Sequence, residues 1–282
     1  MTKPFLKWAG GKGQLLDQFA PLYPRSFCSY HEPFVGSAAV YFHLCGLRAA
    51  GYLADLMRRV RLTDSNMELV NCYQAVRDHV DELIDRLTLH KQKHGREYYY
   101  QVRSWLPQVL TPEEAAARFI YLNKTCYNGL YRVNRKGQFN VPMGSYKNPS
   151  IFDADNLRHA SNMLRGVEIV VADFREVVNC AASGDFVYFD PPYHPLSRTA
   201  NFTSYTEHPF GEEQQRELAQ VFRALDRKGC KVMLSNSWTP FILDLYRGFR
   251  FVEVKAARAI NSKAGGRGKI SEAVVLNFES GQ

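Results

Sequence analysis

Residues 186–193 read Phe-Val-Tyr-Phe-Asp-Pro-Pro-Tyr, and this stretch decides the fold class. Four apolar residues in a row suit a short strand buried on both faces of a sheet. Asp190 closes the run. Pro191 and Pro192 end it, because each fixes φ and lacks an N–H to give to a neighbouring strand. In open α/β sheets, ligands sit beyond the carboxyl ends of the strands, which is where Asp190 would lie.

The same pattern recurs on both sides of this stretch. Upstream, an apolar segment from Cys28 to Phe34 runs into Gly36-Ser37 and a helix-like segment from Ala38 to Leu47. A second strand is expected over Val60 to Thr63, ending at Asp64, with a helix from near Asn66 toward Val76. A third strand is expected over Glu168 to Val171. Downstream come a helix over Gly211 to Lys228, a strand over Lys231 to Leu234, and strands over Phe251 to Val254 and Ala273 to Phe278. This alternation implies an α/β protein with a mainly parallel, doubly wound sheet. Phe34, Asp64, Asp173 and Asp190 all fall just after expected strands. Between about Arg77 and His159 the pattern changes to long polar amphipathic segments, including Asp78 to His90 and Pro112 to Lys124. A Gly-, Asn- and Tyr-rich stretch at 127–148 then reads as a hairpin-like loop. The expected organisation is one domain built from residues 1–76 and 160–282, with residues 77–159 inserted.

The chemistry of Asp190 and its neighbours follows from the residue types. The carbonyls of Asp190 and Pro191 can face a ligand with no rival N–H from either proline, and a carboxylate beside such a carbonyl makes an acceptor pair. Such a pair suits a planar exocyclic amine: it accepts both N–H groups, orients the nitrogen lone pair, and stabilises positive charge as the nitrogen attacks an electrophile. Tyr193 offers a flat face for stacking a base turned out of a duplex. A strand end closed by a Pro-Pro turn would look the same. Near the N-terminus, Phe5-Leu6-Lys7-Trp8-Ala9-Gly10-Gly11-Lys12 sets a cation and an aromatic ring beside two glycines. The spacing excludes a Walker phosphate loop, so Lys12 suits a small-molecule carboxylate better than a triphosphate; a surface turn fits the residues equally. Glu32-Pro33-Phe34-Val35-Gly36-Ser37 lies at a strand-to-helix turn, where the backbone can approach a ligand closely. Asp64, one β–α unit later, has the spacing of an acid that binds a ribose hydroxyl, and equally that of a helix cap.

The net charge is +8. Residues 123–147 carry Lys124, Arg132, Arg135, Lys136 and Lys147 without an acid, and residues 255–271 carry Lys255, Arg258, Lys263, Arg267 and Lys269 without one. These ten charges leave the rest of the chain at net −2. A basic excess confined to two short segments is the footprint of a polyanion partner or of two solvated loops. The six cysteines form no CxxC pair, so neither a zinc ribbon nor a disulfide framework is expected. No apolar stretch approaches the ~20 residues of a membrane span, and MTKPFLKW lacks a signal core. A cytoplasmic protein with reduced thiols and no membrane association is expected, and a monomer is the simplest assembly.

Taken in order, FLKWAGGK, EPFVGSAAV, Asp64, YNGLYRVNRKGQFNVPMGSYKNP, ADF and DPPY closely resemble the D12-class, or alpha-group, DNA adenine methyltransferases, above all the Dam and DpnII-type methylases. The resemblance runs from residue 5 to about 278. It implies a Rossmann-like, S-adenosylmethionine-dependent methyltransferase fold, with an antiparallel strand near the C-terminus and a helical target-recognition insertion. By it, Trp8, Lys12, Phe34, Gly36, Asp64, Asp173 and Asp190 would bind S-adenosylmethionine, while Asp190, Pro191 and Tyr193 would form the catalytic adenine site. Lys7, Tyr127, Asn128, Arg132, Pro142 and Tyr146 would approach double-stranded DNA, with Tyr127 inserting into it. Direct transfer to adenine N6 without a metal is implied, with GATC the first choice of target. Ala38 stands where many relatives have a second glycine. Proteins with related tetrapeptides also methylate N4-cytosine, RNA adenine or protein glutamine, and a DNA-binding regulator without activity would share the fold. Asp at 190 and the basic insertion favour DNA adenine.

Overall fold

The computed structural model describes residues 2–53, 58–196, 210–257 and 269–280, with 257 and 269 described by their backbone alone. Its seven strands are β1 (Ser29–Glu32), β2 (Arg59–Asp64), β3 (Glu168–Val171), β4 (Phe186–Phe189), β5 (Lys231–Ser237), β6 (Arg250–Ala257) and β7 (Lys269–Leu276). They form one sheet in the order β3-β2-β1-β4-β5-β7-β6, in which only β7 runs antiparallel to its neighbours. The chain moves outward from β1 to β3 and then returns to place β4 beside β1. The order therefore switches between β1 and β4, which is where an open sheet leaves a crevice for ligands. This is the Rossmann-like methyltransferase architecture that the motif order implied, including the antiparallel strand near the C-terminus.

The apolar run 186–189 behaves as its composition requires. Phe186 and Tyr188 enter one core while Val187 and Phe189 enter the core on the opposite face, and all four are fully buried. Val232 and Leu234 of β5 alternate with Met233 in the same way. A two-residue side-chain period between two covered faces is what a doubly wound sheet imposes.

The helices are α1 (Leu16–Phe19), α2 (Ala39–Ala49), α3 (Met67–Asp78), α4 (Val80–Gln92), α5 (Arg96–Ser104), α6 (Pro112–Thr125), α7 (Ala154–Leu164), α8 (Val177–Cys180), α9 (Glu212–Arg227) and α10 (Pro240–Leu245). Leu83 of α4, Tyr99 of α5 and Phe119 of α6 share the core that holds Phe186 and Tyr188. Asn66 caps α3 by accepting the Leu69 N–H, and Thr111 with Glu114 forms a reciprocal capping box on α6. The hairpin-like stretch contains two isolated antiparallel bridges, Cys126 with Met143 and Val133 with Phe139. The α5 helix is additional to the segments expected from the sequence. It buries only Tyr99 and Val102 among nine mostly polar residues, too faint a stripe to stand out. Residues 258–268 of the basic Gly-rich loop lie outside the described residues.

All six cysteines are free. Among the described residues no helix is long and apolar enough to cross a membrane, and no cluster of His, Cys, Asp or Glu is placed to hold a metal ion.

Candidate active site

The strand β4 carries Asp190 to the switch point, where its carboxylate pairs with the Lys12 ammonium at 2.7 Å. Only 5% of the Lys12 side chain and 21% of that of Asp190 reach solvent. Lys12 also donates to the Gly10 carbonyl at 2.5 Å, and its Nζ lies 4.7 Å from the centre of the Tyr193 ring. The two ends of the expected motif set thus meet, with the Lys12 cation against both Asp190 and Tyr193. Burial pushes the Asp190 carboxyl above its ordinary range, and Lys12 opposes that shift. Behind the pair, buried Glu32 accepts the Tyr30 hydroxyl at 2.8 Å and is pushed up to about 8 by burial. Near neutrality Glu32 is therefore mostly protonated.

The turn after β1 brings together the next group. Gly36 has φ +45°, and a Cβ there would lie 2.9 Å from Trp8 Cδ1. Only glycine lets the backbone pass this close to the indole. Trp8 also stacks on Tyr131, with ring centroids 5.8 Å apart. Asp64, the last residue of β2, accepts from Asn66 N–H at 3.0 Å and Gly36 N–H at 3.4 Å, and burial raises it to about 6. The cap of α3 is Asn66, so Asp64 is left to tie the end of β2 to the glycine turn. Ala38 caps α2 in the left-handed region, φ +52°, a conformation that glycine adopts at less cost than alanine. Half-buried Phe34 stacks on Phe174 and meets Phe189 and Phe210 edge-on. Asp173 is less enclosed. It caps the turn at Phe174 and is held below its usual range chiefly by hydrogen bonding to Arg175.

Of the expected DNA-facing residues, Lys7 and Tyr146 meet at the N-terminal block, while Tyr127, Asn128, Arg132 and Pro142 lie along the hairpin-like stretch. Exposed Lys7 lies over the Tyr146 ring at 4.3 Å, and a Cβ on Gly129 would sit 2.6 Å from the Cβ of Lys7. The Asn123 amide accepts the Lys7 N–H and donates to the Lys7 and Gly129 carbonyls. This stitches the end of α6 to residue 7. Tyr127 is 53% exposed, and its N–H bonds the Pro142 carbonyl. Asn128 has φ +54°, and Arg132 donates to the Asn140 side chain at 2.7 Å across the hairpin. Glu68 of α3 accepts from both Arg118 and Tyr131, so the ring stacked on Trp8 is anchored from behind.

Sequence reasoning did not single out Tyr131, Glu68 or Glu272, which accepts the Tyr193 hydroxyl at 2.8 Å. Tyr131 lay within the recognition block, whereas Glu272 carried no motif signal. A separate cavity of about 360 Å³, lined by Lys3, Phe5, Lys124, Phe152, Asp153 and His159 among others, contains none of the expected site residues. Lys124 there is pushed down to about 8, first by burial and then by Lys7.

Residues 8–260 match the family of D12 class N6 adenine-specific DNA methyltransferases. The chain is 42% identical over 282 residues to the type II methyltransferase M1.LlaDCHI of Lactococcus lactis subsp. cremoris, covering 98% of this chain and 95% of that relative. It is 44% identical to the type II methyltransferase M.MjaIII of Methanocaldococcus jannaschii, covering 98% of this chain and 99% of the other. It is also 35% identical to the DNA adenine methylase of Escherichia coli K12, covering 98% and 95% respectively.

Proposed function

The chain belongs to the D12 class of N6 adenine-specific DNA methyltransferases, and from that premise we propose that it moves a methyl group from S-adenosylmethionine to adenine N6 within GATC in duplex DNA. That it is a DNA adenine methyltransferase, acting on DNA with a methyl donor, is given by the family and its relatives; the donor's identity, the target sequence and the residue roles are the proposal. The observation that carries it is the enclosed Lys12–Asp190 pair with the Tyr193 ring beside it, at the end of the strand next to the switch point.

The residues fit S-adenosylmethionine. A Cβ-free backbone surface at Gly36, a carboxylate at the end of β2 and a buried ammonium at Lys12 provide the donors and acceptors that its ribose and amino-acid portions require. Trp8, Phe34 and Asp173 complete the set of residues that would hold it. When bound, it supplies an electrophilic methyl group. The chain's own work is at the acceptor: Asp190 and the Pro191 carbonyl accept the two N6–H groups of adenine, so the nitrogen lone pair is free for attack. Tyr193 stacks the extruded base, and the Lys12 ammonium favours the charged form of Asp190 against the effect of burial. Residues 77–159 form the target-recognition segment, with Lys7, Asn128, Arg132, Pro142 and Tyr146 around the site sequence and Tyr127 filling the space left by the base. The residue order of 127–148, by which this block resembles the Dam and DpnII-type methylases, supports GATC.

The experiment is expression in a host lacking adenine methylation, with modified bases mapped by single-molecule sequencing. N6-methyladenine at GATC is expected. Methylation confined to another sequence would refute the target, methylated cytosine would refute the base, and unmodified DNA beside well-folded protein would refute the catalytic assignment.

A further inference from the structure

Residues 190–194 are held from two sides by side chains outside the motifs that identify the site. On the backbone side, fully buried Gln215 of α9 donates to the Pro192 carbonyl at 2.8 Å. Its own carbonyl accepts from Asn236 of β5 at 3.0 Å, and Asn236 Oδ1 accepts the His194 N–H at 3.0 Å. The Ser237 hydroxyl donates to the His194 carbonyl at 2.7 Å. Each amide thus has its oxygen and nitrogen assigned by its partners, which leaves the segment little freedom.

The ring side is different. With the backbone clamped, the Tyr193 ring can still tilt about its side-chain torsions. Lys12 lies against the ring, and at its far end the hydroxyl donates to the Glu272 carboxylate. Glu272 stands on β7, opposite Ser237 of β5 and Val254 of β6, so the antiparallel insertion of that strand is what brings it to the site. A second carboxylate here is electrostatically unfavourable, since it pushes the Asp190 carboxyl further up. An acceptor-only group does, however, commit the Tyr193 hydroxyl hydrogen to one direction through a charge-assisted bond.

We propose that Glu272 is a positioning residue for methyl transfer: by accepting the Tyr193 hydroxyl it fixes the plane of the ring against which the target adenine stacks. This rests on the reading that Tyr193 belongs to the adenine site. Glu272 acts through Tyr193 and does not touch the reacting atoms.

The test measures single-turnover transfer of labelled methyl from S-adenosylmethionine to a GATC duplex. Glu272→Ala is expected to slow transfer by about 10- to 100-fold, the loss that goes with a misplacement of about 1 Å, while duplex KM stays close to that of the wild type. Glu272→Gln, which keeps an acceptor, should recover most of that loss. It should also move the acid limb of the pH–rate profile to lower pH, because the negative charge beside Asp190 is gone while Lys12 and Glu32 still face it. Tyr193→Phe should account for most of the Glu272→Ala loss, and the double variant should be little worse than either single one. Unchanged transfer in Glu272→Ala, a loss carried wholly by KM, or an undiminished Glu272 effect in the Tyr193→Phe background would overturn the proposal. Should Glu272→Ala fail to show a cooperative melt, the other two variants decide: near-wild-type rates in Tyr193→Phe, or an unmoved acid limb in Glu272→Gln, refute it. Asp190→Ala separates the two levels of inference. Transfer that survives Asp190→Ala sinks the reading of the site itself, whereas its loss together with normal Glu272→Ala sinks only the role of Glu272.

Discussion

Asp190 experiences opposing influences: burial and Glu272 disfavour its charge, and the Lys12 ammonium at 2.7 Å favours it. Positive charge developing on the attacking nitrogen is stabilised by Asp190 only in its ionised form, so transfer should fail below the pKa of Asp190 and rise through it. Replacing Lys12 with Met removes the favourable partner and raises that pKa further. The expected result is an acid limb displaced to higher pH, measured as single-turnover rate against pH at saturating methyl donor; an unmoved limb would mean that Lys12 serves donor binding alone. Gly36 is constrained by space. Its positive φ and the 2.9 Å approach to Trp8 that a Cβ would make mean that Gly36→Ala must displace the indole or the turn. We expect donor affinity to fall by about 10-fold or more, equivalent to about 1.4 kcal/mol, with melting temperature little changed, as read by calorimetric titration. At this scale the sequence was informative wherever chemistry is local. Asp190, the prolines and Tyr193 are adjacent, so their joint meaning survives without coordinates. Glu272 is 79 positions from Tyr193, and nothing local marks a lone acid on a strand as its partner.

The expected strands and helices formed where the residue patterns indicated them, with shifts of a few residues at their ends, while α1, α5, α7, α8 and α10 came in addition. Strand β1 stops at Glu32, short of Phe34, because Pro33 cannot continue the ladder. Helix α2 begins at Ala39, since Ala38 is in the left-handed region. Helix α4 contributes a pH dependence that belongs to packing. His90 is buried, stacks on Tyr121 and bonds the Tyr98 hydroxyl at 2.8 Å, and its pKa is pushed down to about 4, chiefly by burial. The unfolded chain binds a proton near the ordinary histidine value of about 6.5, whereas the folded chain does so only near 4. Neutral His90 is therefore fully compatible with the fold above the unfolded value, and stability is lost as pH falls from there toward 4. At about 1.4 kcal/mol per pH unit the loss is at most a few kcal/mol. In chemical denaturation at pH 7 and pH 5, His90→Gln should be less stable than the wild type at pH 7 and lose less on acidification. An equal acid loss in both proteins would show that other groups dominate.

For the molecule as a whole, the hairpin-like loop at 127–148 and the glycine turn after β1 are not independent. Trp8 lies between Gly36 and Tyr131, and Gly129 packs against Lys7. Arg132 stands one residue beyond Tyr131, held by Asn140 in the hairpin. If Arg132 reads a guanine edge, Arg132→Ala should relax preference at one position, costing about 1–3 kcal/mol of discrimination, with a smaller change in binding to unrelated DNA. Competition between GATC and single-substituted duplexes measures this; an equal loss on every sequence would mark Arg132 as a phosphate contact. By itself, the sequence determined the fold class, the order of the strands along the chain and the residue types that meet at the candidate site. These follow from short-range patterns: apolar runs ending in acids, glycine turns and a tetrapeptide with its own chemistry. Only the tertiary structure decided that Lys12 neutralises Asp190, that Glu68 braces Tyr131, and that β7 delivers Glu272 to Tyr193. Such pairings depend on how a sheet in the order β3-β2-β1-β4-β5-β7-β6 brings distant segments side by side. Local sequence carries almost no trace of a contact whose partners lie so far apart along the chain.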